Sequence, residues 1–123
     1  MPSDAIILNK FEIIKGSVLI ILDRFKDVSA PDDFMTTPNG VMKLDSIAMR
    51  LQSIGESIKK IDKYRPELLR NYNEIDWNDI IKFRDFISHH YDLVNPEMIY
   101  NTCKVKLPIL KSTIEKIINE NFK

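Results

Sequence analysis

Between Val41 and Ile61, apolar side chains return every three or four residues: Val41, Leu44, Ile47, Leu51, Ile54, Ile58 and Ile61. A strand would send such a series to both of its faces, whereas a helix gathers it into one stripe. This segment therefore reads as a long amphipathic helix whose stripe must be buried against other helices. The spacing predicts that it begins at Pro38 or Val41 and runs to Lys63. Gly55 interrupts it at a cost of about 1 kcal/mol relative to alanine. A glycine there either admits another backbone or is simply tolerated.

The same period governs the rest of the chain. Ser3 can cap a first helix, with Asp4 at the positive end of its dipole. Ile6, Ile7, Phe11, Ile14, Val18, Ile21, Leu22 and Phe25 carry the apolar face, and the helix is expected to end near Val28, before Ser29-Ala30-Pro31-Asp32-Asp33. Pro66 opens a short helix through Leu69, and Asn71-Tyr72-Asn73 reads as loop. Asp76 can cap a third long helix from Trp77, with Ile80, Ile81, Phe83, Phe86, Ile87 and Leu93 as apolar surface. Asn95-Pro96 opens the last helix, which carries Met98, Ile99, Cys103, Val105, Leu107, Leu110, Ile114, Ile117 and Ile118. Pro108 lies inside it and should kink it or split it in two. Only 3 glycines in 123 residues leave little material for the turns of an all-β fold. The expectation is a single all-α domain over residues 1–123: an up-and-down four-helix bundle with an extra short helix and a Pro-kinked last helix.

Charge limits the function. With 18 Lys+Arg against 18 Asp+Glu, the chain cannot hold nucleic acid by bulk electrostatics, so any RNA contact must be local. The single Cys103 excludes an intramolecular disulfide and a multi-Cys zinc site, and it reads as a small apolar residue. The N-terminal segment lacks the basic and small-residue pattern of a signal peptide. Asn9, Lys10, Glu12 and Lys15 interrupt its apolar residues, so it does not read as a membrane span. A cytoplasmic protein with no membrane partner is the default expectation.

Both histidines fall in one segment with an Arg and a Tyr: Arg84-Asp85-Phe86-Ile87-Ser88-His89-His90-Tyr91. On a continuous helix, Arg84 and Tyr91 would lie within roughly 20° of each other, and Asp85 and His89 would share a face. His89 would stand about 140° from Arg84, so one site containing both needs the helix to loosen or a second chain to contribute. These residue types suit RNA cleavage without a metal. A histidine can take the proton of a ribose 2′-hydroxyl or protonate the leaving 5′-oxygen, an arginine fork fits the phosphate, and a cyclic 2′,3′-phosphate results. Tyr91 could stack on a base or bond a phosphate oxygen. Spacing alone fits surface and packing residues better than a site. The pair His89-His90 makes a poor metal site, because adjacent helical residues point in different directions. No cofactor is expected. Glu56 is either a solvated flank residue or sits in the cleft and orients Arg84. Trp77 is assigned to packing. The stretch Lys59-Lys60-Ile61-Asp62-Lys63-Tyr64-Arg65 reads as a solvated helix end, with the rim of an RNA cleft as the other reading.

Arg84 to Tyr91 spells Arg-x4-His-x-Tyr, which resembles the motif of HepT-like toxins of the HEPN superfamily. Ile54-Gly55-Glu56-Ser57 is similar to the family's Ile-Gly-Glu-Ala segment. Ile75-Asp76-Trp77 resembles its Ile-Pro-Trp, with Asp76 in place of proline, and Leu107-Pro108-Ile109-Leu110 resembles its Leu-Pro-x-Leu. The resemblance implies a HEPN-like bundle that forms a homodimer, with two motifs facing each other as a composite ribonuclease site. It implies Arg84 and His89 as the catalytic pair, Asp85 in the motif's Asn/Asp position, and His90 at a variable one. It further implies the toxin of a type II/VII-like toxin–antitoxin pair, with transfer RNA as a suggested target. The partner would be an MNT-type nucleotidyltransferase antitoxin, which in some members transfers AMP to the motif tyrosine, here Tyr91. The alternative is a non-catalytic helical module that positions nucleotide or substrate for such a partner.

Overall fold

The computed structural model describes residues 2–123 and is all-α, with no strand among the described residues. Helix α1 spans Asp4–Phe25, and the Ser3 hydroxyl accepts from the Ile6 N–H at its start. Ile7, Phe11, Ile14, Val18 and Ile21 form its buried face. The helix stops at Phe25, short of the predicted Val28. The Asp33 carboxylate accepts from the N–H groups of Ser29 (2.7 Å) and Ala30 (3.3 Å), fixing the turn earlier, while Val28 remains buried.

A 3₁₀ turn, Pro31–Phe34, buries Phe34 and leads into helix α2, Pro38–Tyr64. Thr37 caps α2 by accepting from the Gly40 N–H at 2.9 Å. Leu44, Ile47, Leu51, Ile54, Ile58 and Ile61 are buried along it, as the spacing predicts. Each contributes roughly 1.5–3 kcal/mol relative to an exposed side chain. Val41 departs from the stripe and is 38% exposed. At this first turn Gly40 packs against the Asp33–Phe34 backbone instead, so closely that a Cβ would overlap the Asp33 carbonyl.

Helix α3, Pro66–Arg70, is the expected short helix. Helix α4, Trp77–His89, is capped by the Asp76 carboxylate, which accepts from the Asp79 N–H at 3.0 Å. The Trp77 indole donates to the Tyr72 carbonyl at 3.1 Å and packs against the core, as assigned. The helix does not reach Leu93. His90 leaves helical geometry (φ −138°, ψ 42°), and Tyr91–Leu93 form a 3₁₀ turn that brings the chain to Asn95-Pro96. Leu93 is consequently exposed.

Helix α5, Pro96–Asn101, starts at the Asn95 cap. The predicted irregularity at Pro108 takes the form of a π turn over Thr102–Lys106, followed by helix α6, Leu107–Phe122. Pro108 has no N–H for the carbonyl four residues before it, and the backbone widens just ahead of it. This rotates Val105 to the surface and keeps Cys103 in the core.

Helix α6 packs on α1, α1 on α2, and α2 on α4. Between α4 and α6 runs an apolar groove of about 190 Å³, lined by Leu51, Ile54, Ile80, Phe83, Leu107 and Leu110 among others. No helix among the described residues is long and apolar enough to cross a membrane.

Candidate active site

The α2–α4 contact positions Arg84. Its Cβ and Cγ lie directly over Gly55, where any side chain on α2 would collide with them. Glycine at this point is required by the stem of an arginine and not by a nearby backbone, since the Ile80 carbonyl, 3.4 Å from where a Cβ would be, would be in ordinary contact. The guanidinium then reaches two carboxylates. One terminal nitrogen pairs with Glu56 at 2.5 Å, and the other pairs with Asp85 at 2.8 Å. The Arg84 side chain is 21% exposed, and its Nε is buried without a partner among the described residues.

Each carboxylate also meets a lysine. Lys59 lies 3.7 Å from Asp85 and Lys60 lies 3.9 Å from Glu56. The hydrogen bond from Arg84, aided by the charge of Lys59, holds the Asp85 carboxyl below its ordinary range. In return the hydrogen bond to Asp85, with Glu56 adding to it, raises the Arg84 guanidinium. Glu56 makes the contact with Arg84 that the second reading requires, while its side chain stays 41% exposed to solvent. Asp85 is bonded by Arg84, and not by His89.

His89, the last residue of α4, is exposed and makes no hydrogen bond among the described residues. His90 turns its ring toward Phe86, with centroids 5.8 Å apart. Tyr91 lies beyond the helix, so its helical-wheel alignment with Arg84 does not apply. Its hydroxyl donates to Asp45, near the opposite end of α2 from Glu56. The two anchors on α2 are eleven residues apart, about 16 Å along the helix axis. Partial burial, then the hydrogen bond and charge of Asp45, push the Tyr91 phenol up to about 12. Within the chain, Arg84 and Tyr91 therefore belong to separate polar contacts. Burial likewise pushes the Cys103 thiol up to about 12, consistent with a packing residue and not a reactive one.

Nothing in the sequence distinguishes Asp45 from a solvated helix residue, and since it lies 46 positions before Tyr91 no local pattern could single it out. Lys59, Lys60 and Lys63 were read as a solvated helix end. The structure gathers them with Glu56, Asp62 and Arg84 around one depression of about 370 Å³. No group of three or more His, Cys, Asp or Glu among the described residues is arranged to hold a metal ion.

The chain is similar to several known proteins. It is 31% identical over 107 residues to a Methanocaldococcus jannaschii protein named "gamma-glutamylcyclotransferase and putative RNase", matching 87% of this chain and 45% of that protein. It is 26% identical over 100 residues to a "putative RNase" of Caldanaerobacter subterraneus, covering 81% of this chain and 83% of the relative. It is 31% identical over 72 residues to a "probable ribonuclease HepT" of Thermococcus cleftensis, covering 58% and 63% of the two chains. The chain thus spans less than half the length of the first of these relatives. No solved structure matches it. The family described as ribonuclease HepT-like matches residues 16–117, most of the helical bundle, and the chain belongs to that family.

Proposed function

We propose that the chain is a metal-independent endoribonuclease that acts as the toxin of a HEPN–MNT toxin–antitoxin pair, with Arg84 and His89 as its catalytic residues. The observation that carries this reading is the Arg84 guanidinium, fixed over Gly55 by Glu56 and Asp85 on the helix that ends in an exposed His89. Membership of a ribonuclease family supports it.

Arginine has five N–H donors, and the two ion pairs engage one on each terminal nitrogen. The second N–H of each terminal nitrogen remains for a phosphate. In the reaction, His89 removes the proton of the ribose 2′-hydroxyl and the 2′-oxygen attacks the adjacent phosphorus. The bond to the 5′-oxygen breaks, and that oxygen is protonated as it leaves. Arg84 stabilises the charge that builds on the non-bridging oxygens, an effect commonly worth about 10²–10³ in rate. Since the nucleophile belongs to the RNA, the products are a cyclic 2′,3′-phosphate and a 5′-hydroxyl. Transfer RNA is the proposed substrate class.

A homodimer is the proposed working form. Val41, Met42 and Met49 on α2, with Tyr91 and Leu93 beside them, leave apolar surface exposed near the end of the motif. A second copy against this surface would bring a second motif close. An MNT-type nucleotidyltransferase is the proposed antitoxin, with an adenylate on Tyr91 as the inactivating mark. That mark would break the hydrogen bond to Asp45 and add negative charge where substrate phosphate must approach.

The test is expression of the chain alone under tight induction, beside His89→Ala and Arg84→Ala, following growth and small RNA on gels. Arrest with RNA shortened to ends bearing cyclic phosphates, persisting in chelator and absent in both variants, is the expected result. If folded parent protein leaves RNA and growth untouched, the binding-module reading replaces this one.

A further inference from the structure

We propose that Lys59, Lys60 and Lys63 form a strip that binds successive phosphates of a single RNA strand beside Arg84, an inference that rests on the ribonuclease reading. These lysines and Arg84 line the depression along the C-terminal half of α2, with Glu56 and Asp62 in its wall and Asp85 against Arg84 and Lys59. With Asp85 counted, four cations against three carboxylates leave it with one net positive charge on a chain that has none. Because it is concave, its field is focused into the space a ligand would enter.

The lysines can be released to a ligand at little cost. Lys59 and Lys60 stand 3.7 Å and 3.9 Å from their carboxylates, with all four side chains at least 41% exposed. Pairs of this kind contribute little to stability, and a phosphate oxygen can replace the carboxylate. Lys63 pairs with no carboxylate among the described residues, and its ammonium lies 5.6 Å from the Tyr64 ring. On the helix the three occupy an arc of about 100°, and Lys59 and Lys63 are separated by about 6 Å along the axis. That separation is comparable to the step between neighbouring phosphates of one strand. A strip one turn long engages two or three phosphates, which suits a single strand or loop and not the broad face of a duplex.

The strip also answers an electrostatic difficulty. Arg84 alone, between Glu56 and Asp85, is a net negative cluster that would repel a phosphate. Lys59 and Lys60 beside those carboxylates reverse the balance.

The experiment measures binding of a labelled single-stranded oligoribonucleotide to His89→Ala protein over a salt series, by fluorescence anisotropy. The same background then carries Lys59→Gln, Lys60→Gln and Lys63→Gln together, or Lys111→Gln, Lys116→Gln and Lys123→Gln, on α6 and just after it, as a charge-matched control. Circular dichroism verifies that each variant is folded. Loss of three phosphate contacts should lower the slope of log K against log salt by about 2 and weaken low-salt binding by at least about tenfold. The α6 control should keep the parental slope. Unchanged slope and affinity in the triple variant, or an equal loss in the control, overturns the strip. Cleavage by the unmutated protein is scored separately. If it cuts RNA while the triple variant binds normally, only the strip fails; if it binds through the lysines without cutting, only the ribonuclease reading fails. If it neither binds nor cuts, both fall.

Discussion

Gly55 of α2 and Arg84 of α4 form one contact: the arginine's Cβ and Cγ occupy the space that a side chain at position 55 would need. The next residue of α2, Glu56, receives the guanidinium at 2.5 Å. Two consecutive residues thus seat the stem of Arg84 and hold its head.

Gly55→Ala should therefore destabilise the protein although alanine is the better helix former. The gain in helix propensity is about 1 kcal/mol. Against it stands a clash with α4 in a packed helix contact, where overpacking commonly costs about 1–3 kcal/mol. A net loss of up to roughly 2 kcal/mol is expected in urea unfolding, with RNA cleavage falling as well because Arg84 is displaced. An alanine variant as stable and as active as the parent would show that α4 yields at this point without consequence.

Asp85 should make the fold acid-sensitive. Its carboxyl is lowered by the hydrogen bond from Arg84, so the folded state binds its proton less readily than the unfolded chain does. That stabilisation is fully present above the ordinary carboxylate pKa of about 3.9 and disappears as pH falls through the lowered value. Its magnitude is small, since the Asp85 side chain is 43% exposed. Urea midpoints measured from neutral pH down through about pH 3 should decline for the parent and decline less for Asp85→Asn.

Tyr91 should titrate late. With its phenol pushed up to about 12, the hydrogen bond to Asp45 stabilises the fold fully below the ordinary tyrosine pKa. The contribution is lost as pH rises through the shifted value, which places the change between about 10 and 12. Ultraviolet difference titration against Tyr91→Phe isolates this phenol. Asp45→Asn should lower its midpoint only part of the way toward about 10, because burial, the larger cause, remains, and an unmoved midpoint would show that Asp45 does not hold the hydroxyl in solution.

What the linear sequence determined is local. The three- and four-residue recurrence along α2 named its buried face because helical geometry alone maps that spacing to one side. Ser3, Asp76 and Asn95 marked helix starts because a short polar side chain can satisfy the N–H groups that the first turn leaves free. The motif segment and the Ile54–Ser57 segment could be picked out as residues of interest. Where α4 stops was decided by tertiary structure: periodicity carried it on to Leu93, whereas the chain turns at His90 and lays Tyr91 against Asp45. That turn removed the alignment of Arg84 with Tyr91 that a continuous helix would have imposed. Tertiary packing likewise set the stem of Arg84, and not another backbone, over Gly55, brought its guanidinium to Glu56, and collected Lys59, Lys60 and Lys63 around Arg84. The physical reason is common to these cases. Propensity and period act within a few residues, whereas a charge or a clash depends on which helix face arrives from 28 positions away, as Arg84 does at Glu56.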